Sequence, residues 1–165
     1  LFQMKQVYKL SPPVVVDAAH NVASIVALVE TLRETGLGEL SDRKILVFAT
    51  SEDKDAEGML RQLLPHFDLV ILTRYMNNPR FVEPADLLRL TQRILDECDG
   101  QRPEATVQPD PSTAWELARS AAQATDLICV TGSFFLASEV RELAQERKKP
   151  VQDGQSWTGF RCSIR

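Results

Sequence analysis

Cysteine and histidine are scarce, with three and two among these 165 residues. Cys98, Cys129 and Cys162 stand far apart, so no C-x-x-C pair exists, and an odd count closes no disulfide framework. The expectation is reduced thiols and a cytoplasmic protein. His20 and His66, without paired cysteines, fall in no recognisable zinc spacing, so no metal site is expected on this chain. Long apolar runs are missing too: none approaches the roughly 20 residues that cross a bilayer, and Leu1-Phe2-Gln3-Met4-Lys5 lacks the basic-then-apolar layout of a signal peptide. No membrane partner is expected. Basic charge is scarce, with 19 Lys+Arg against 23 Asp+Glu and a formal net charge of −4. No basic cluster is denser than Arg147-Lys148-Lys149, which argues against a nucleic-acid partner. The absence of an initiator methionine points to a piece of a longer protein or a processed product.

What is present is the composition of one ordinary domain, 44% hydrophobic and 25% charged. A chain of this length buries roughly 70% of its unfolded surface, enough for a core without disulfides or structural metal. Short apolar, β-branched runs recur at 14–16, 45–49, 69–72, 105–107 and 127–130, with helical patterns between them. Residues 2–8 alternate weakly and read as an edge strand. Runs that are apolar at every position suit strands covered on both faces. The expected fold is therefore α/β: a Rossmann-like three-layer sandwich, with a mostly parallel sheet of about six strands and helices on both faces.

The helices are read from their stripes. Val22, Ile25, Val26, Val29 and Leu32 share one face, with Gly36 placed to end that helix in a left-handed cap. Met59, Leu60, Leu63 and Leu64 form a second stripe, stopped by Pro65. Pro84 opens a third, carried by Leu87, Leu90, Thr91 and Ile94. Asp110-Pro111 opens a fourth, with Ala114, Leu117, Ala118 and Ala121. Gly132-Ser133 precedes a fifth, with Leu136, Val140, Leu143 and Ala144.

In open α/β sheets, ligands bind outside the carboxyl ends of the strands, so the residues that follow each apolar run matter most. They are Asp17-Ala18-Ala19-His20-Asn21, then Thr50-Ser51-Glu52-Asp53-Lys54-Asp55, then Thr73-Arg74, then Thr131-Gly132-Ser133. Each allows two readings. Asn21, Asp55 and Ser133 suit helix capping, or they frame helix starts that attract an anionic ligand. His20 is a packed polar residue or a ligand contact. Lys54, flanked by Asp53 and Asp55, is part of a solvated charge cluster or a ligand-facing residue of the rim, and Arg80 suits a plain turn. His66 and Arg147-Lys148-Lys149 read as surface. Spacing alone gives an α/β ligand-binding domain and no reaction.

Together these segments resemble the C-terminal, glutamate-ligase domain of the Mur ligase superfamily, and most closely its folylpolyglutamate synthase/dihydrofolate synthase branch. The likeness rests on D-A-A-H-N at a strand end, where the family typically has D-G-A-H-N. It rests also on S-E-D-K-D opening a helix, on Pro79-Arg80 in the intervening loop, and on V-T-G-S-F-F-L-A-S-E-V-R. It covers about residues 2–145. Ala18 stands in place of the usual glycine and Val22 in place of the proline that commonly follows the asparagine; neither change removes a reactive group.

The resemblance implies ATP-dependent amide-bond formation. The γ-phosphate passes to a carboxylate of a folate or dihydropteroate substrate, and L-glutamate displaces phosphate from the acyl phosphate. Carried over residue by residue, Asp17 contacts ATP, and His20 and Asn21 lie beside the acyl phosphate and incoming glutamate. Lys54 offers a positive charge there, and Ser133 helps to bind glutamate; Asp55 and Arg80 are further candidates. His20 and Lys54 are the implied catalytic residues. The sequence holds no G-x-x-x-x-G-K-[ST], so the resemblance implies that ATP and Mg2+ are held mainly by an N-terminal P-loop ATPase domain of the same parent chain. Residues 1–148 are then the ligase domain, inactive alone, and residues 149–165 an extension in which Trp157 and Phe160 suggest docking. The competing expectations are the equivalent domain of a peptidoglycan-precursor Mur ligase, and a non-catalytic α/β module that binds a small anion or a partner.

Overall fold

The computed structural model describes residues 5–8, 12–98, 100 and 102–146, the side chains of 5–8 and of Glu146 excepted. The expected extension at 149–165, with Trp157 and Phe160, and the start of the expected edge strand lie outside the described residues, as do Arg147-Lys148-Lys149 and Cys162. The elements run β1 (Lys5–Tyr8), β2 (Val14–Asp17), α1 (Val22–Glu34), β3 (Lys44–Phe48), α2 (Ala56–Leu63), β4 (Leu69–Leu72), α3 (Pro84–Glu97), β5 (Glu104–Val107), α4 (Pro111–Ala121), β6 (Leu127–Thr131) and α5 (Phe134–Glu146). They build one sheet in the order β1-β2-β6-β3-β4-β5. Strands β2, β6, β3, β4 and β5 are parallel, whereas β1 pairs antiparallel with β2 at the edge. The parallel part therefore has five strands, and the expected sixth runs the other way.

Every residue of β2, β4 and β6 is buried, as the unbroken apolar runs require of strands covered on both faces. One layer packs α1, α2 and α3 through Ile25, Leu28, Leu60, Leu63, Leu87 and Ile94 against Val15, Leu46, Phe48 and Val70. The other packs α4 and α5 through Trp115, Ala118, Leu136 and Val140 against Val16, Val47, Ile71 and Val130. Two stripe positions are corrected: Leu117 is 37% exposed, and Trp115 takes the inward place on α4. On α1, Leu28 is buried, while Val26 and Val29 are only partly covered.

The chain steps from β2 past β6's place to β3, β4 and β5, then returns across α4 to insert β6 beside β2. After β2 the chain enters the α1 layer; after β6 it enters the opposite, α5 layer. Adjacent strands whose following helices leave to opposite faces open a crevice at their carboxyl ends. The turn after β2 and the turn after β6 flank it.

Candidate functional site

The turn after β2 is built by its own polar side chains. Asp17, 1% exposed, accepts the Ala19 N–H on Oδ1 at 2.7 Å, which curls the backbone back over the strand end. Asn21 is the N-cap of α1: its side chain accepts the Ser24 N–H at 2.9 Å, while Ser24 Oγ accepts the N–H groups of His20 and Asn21 at 3.1 and 3.2 Å. Val22 is the first helical residue, the place where proline is tolerated. No non-glycine residue among those described has positive φ, so Ala18 meets no strain where the family's pattern has glycine.

His20 is exposed, and its Nδ1 lies 3.0 Å from the Ala18 carbonyl oxygen. A carbonyl only accepts, so this bond places the hydrogen on Nδ1 and leaves Nε2 as the proton-accepting nitrogen.

The turn after β6 passes closely over β3. Gly132 has φ +102°, and a Cβ there would stand 2.5 Å from the Ala49 carbonyl oxygen and 2.5 Å from the Phe48 ring. Only glycine fits. Its N–H donates to the Ala19 carbonyl at 3.0 Å, which joins the two crevice turns. Ser133, 3% exposed, follows at the start of α5 and accepts the Phe135 N–H on Oγ at 3.2 Å.

A second group of candidate residues lies along the same rim. Asp55 caps α2 by accepting the Gly58 N–H at 2.8 Å. Lys54 pairs with Asp53 at 2.9 Å. The hydrogen bond from Lys54 holds the Asp53 carboxyl below its ordinary range, and the Arg80 charge adds a smaller pull in the same direction. Arg80 therefore shares the neighbourhood of Lys54 and Asp53. Backbone bonds fix that meeting: the Glu52 N–H donates to the Arg80 carbonyl at 3.0 Å and the Val82 N–H to the Thr50 carbonyl at 2.9 Å. Among the sequence candidates, Asp17, His20, Asn21 and Ser133 thus gather at the β2/β6 crevice, and Lys54, Asp55 and Arg80 beside it at the end of β3.

Three more side chains border these turns: Arg74, which the rim list includes, Glu139, which lies in the last motif, and Tyr75, which no pattern marks. Tyr75, fully buried, bridges Ser51 Oγ at 2.7 Å and the Arg80 carbonyl at 3.2 Å. Arg74 lies over the Phe81 ring at 5.0 Å. Glu139 on α5 accepts N–H groups from Met76 and Asn77. The Tyr75–Ser51 and Glu139–Met76 contacts join residues 24 and 63 positions apart, so no local pattern shows them.

The Mur ligase, glutamate ligase domain family matches residues 2–134. The chain belongs to that family. No curated protein matches it, but solved structures do. E. coli FolC, in complex with DHPP and ADP, superposes with TM-score 0.73 at 24% identity, over 87% of this chain and 31% of that one. Mycobacterium tuberculosis folylpolyglutamate synthase complexed with ADP gives TM-score 0.70 at 27% identity, over 84% and 31%. A bifunctional folylpolyglutamate synthase/dihydrofolate synthase with Mn, AMPPNP and L-glutamate bound gives TM-score 0.64 at 25% identity, over 84% and 30%. The Mur ligase domain described here therefore spans about 31% of the length of the solved relatives. Among its described residues no helix is long and apolar enough to cross a membrane.

Proposed function

We propose that this Mur ligase domain binds glutamate and the acyl phosphate for an ATP-dependent ligase that adds L-glutamate to folate or dihydropteroate. One observation carries the reading: the Asp17-to-Asn21 turn and the Gly132-Ser133 turn are joined by a 3.0 Å hydrogen bond at the point where strand order reverses. The bound ADP, AMPPNP and L-glutamate of the solved relatives support it.

In this reaction a carboxylate oxygen of the pterin substrate takes the γ-phosphoryl group of ATP and ADP leaves. The glutamate amine then attacks the acyl carbon, the carbon–oxygen bond to phosphate breaks, and the amine gives up a proton as the amide forms. Asp17 contacts the nucleotide from this side of the cleft. His20, with Nε2 open to accept a proton, and Asn21 stand beside the acyl phosphate. Lys54, released from Asp53, and Arg80 supply positive charge for glutamate carboxylates or the phosphoryl oxygens, where charge-assisted hydrogen bonds are strongest. Ser133 contributes a hydroxyl at the start of α5, a place that favours an anionic group; Asp55 shapes the Lys54 turn as the cap of α2.

Among the described residues no three His, Cys, Asp or Glu side chains could hold a metal ion, and on this reading the Mg2+ that accompanies ATP belongs to the P-loop domain of the parent chain. The sequence likewise has no phosphate-cradling G-x-x-x-x-G-K-[ST]. Closure of this domain onto a P-loop domain would then assemble the site, and the 165-residue chain by itself should release no phosphate from Mg-ATP.

The test is glutamate-dependent phosphate release by the full-length parent with Mg-ATP, comparing dihydropteroate, tetrahydrofolate and a muramoyl-peptide precursor. Release with a pterin acceptor is expected. Release with the muramoyl acceptor alone would place the protein in the cell-wall branch, and no release from folded protein would leave a binding module.

A further inference from the structure

The loop at residues 76–80 hangs over the rim between β4 and α3 and ends in Arg80. It is strapped at both ends by side chains that the reaction itself does not need. At its far end, the Tyr75 hydroxyl reaches the Arg80 carbonyl. At its near end, Glu139 grips two successive backbone N–H groups: Met76 N–H lies 2.9 Å from Oε1 and 3.1 Å from Oε2, and Asn77 N–H lies 2.9 Å from Oε1. Paired backbone donors on one carboxylate make a charge-assisted anchor, about twice as strong as neutral hydrogen bonds. Inside the loop, Asn78 Oδ1 accepts the Arg80 N–H at 2.9 Å, which leaves little slack between anchor and arginine. Glu139 sits on the helix that Ser133 begins. One rigid element therefore carries both the serine of the crevice and the fastening of the arginine loop.

We propose that Glu139 is a positioning residue: it latches the 76–80 loop to α5 so that the Arg80 guanidinium and Ser133 present a fixed pair of contacts to the incoming amino acid. The inference rests on the ligase reading above. It gives a role to the glutamate of the V-T-G-S-F-F-L-A-S-E-V-R run, which the site candidates leave out, and it makes a definite claim about coupling. On this proposal Glu139 acts through the loop it holds, and its removal is felt through Arg80.

The experiment has two arms. In the 165-residue chain, amide hydrogen exchange is followed at Met76 and Asn77 for wild type, Glu139→Gln and Glu139→Ala, with core β-strand amides as the internal reference. In the full-length parent, KM for glutamate and kcat are measured for wild type, Glu139→Gln, Arg80→Ala and the double variant. The expected result is loss of protection at Met76 and Asn77 by roughly tenfold with the core unchanged. In the parent, KM for glutamate rises about fivefold in Glu139→Gln with kcat held within about twofold, and Glu139→Gln has no further effect once Arg80 is alanine. A general loss of structure would lower kcat and core protection together, and would overturn the proposal. So would unchanged Met76 and Asn77 protection in Glu139→Ala, or a Glu139→Gln penalty that adds in full to that of Arg80→Ala. A wild-type parent without glutamate-dependent turnover would overturn the ligase reading and the proposal with it. A fully active Glu139→Gln parent would overturn the proposal alone.

Discussion

The Tyr75 hydroxyl stands 2.7 Å from Ser51 Oγ and 3.2 Å from the Arg80 carbonyl oxygen. One buried phenol thus ties the loop after β3 to the loop after β4, and with them Lys54 to Arg80. The ring itself is wedged between Phe81 and Phe135, with centroids at 6.1 and 5.1 Å. Tyr75→Phe keeps that packing and removes the polar bridge, leaving buried acceptors to be satisfied otherwise. We expect a loss of about 1 to 2 kcal/mol in urea unfolding, with the larger effect on exchange of the Glu52 and Val82 amides. An unchanged midpoint would show that the hydroxyl contributes nothing to the rim.

Gly132 is the position least able to change. Its φ of +102° and the 2.5 Å approach of a Cβ to the Ala49 carbonyl oxygen oppose any side chain. Backbone strain of this kind costs on the order of 1 to 3 kcal/mol, before the clash is counted. Gly132→Ala should therefore fold weakly or displace the β6-to-α5 turn, breaking the 3.0 Å bond from Gly132 to Ala19. Circular dichroism melting checks the first outcome, and loss of exchange protection at the Gly132 amide position the second.

His66 should give the stability curve a step near neutral pH. At the amino-terminal end of the strands, far from the crevice, partial burial followed by the Lys44 and Arg33 charges lowers its pKa from the ordinary 6.5. The unfolded chain then takes up a proton before the folded one does, so stability is full above 6.5 and falls as pH drops from there toward the lower folded value. Urea midpoints from about pH 8 to about pH 5 should show that loss in wild type, and His66→Gln should remove it. Parallel curves would contradict the assignment.

Much of the fold was legible because its signals are local. Helix starts at Asn21, Asp55 and Asp110 announce themselves by capping side chains that reach three residues on, and the start of α3 by Pro84 in its first turn. Strands buried on both faces show as unbroken apolar runs, and the end of each run then marks the rim. Leu117 and Trp115 flank the Ala114–Ala118 line of α4 on opposite sides, and packing on the sheet turns Trp115 inward and Leu117 outward. The antiparallel direction of β1 depends on pairing with β2, which no local pattern encodes. Glu139 and Met76 meet across 63 positions, and Tyr75 meets Ser51 across 24. Such pairings are set by strand order, so the contacts that fasten the rim are not legible in the sequence, while the residues at its turns are.

The central claim is that the crevice between the Asp17-to-Asn21 turn and Ser133 receives glutamate and the acyl phosphate. Its most direct test is glutamate-dependent phosphate release by the full-length parent with Mg-ATP and a pterin acceptor, comparing wild type with His20→Ala and Ser133→Ala. The account predicts a KM for glutamate raised roughly tenfold in Ser133→Ala and a turnover slowed by roughly a hundredfold in His20→Ala, both from folded protein. Wild-type kinetics in both variants would contradict it.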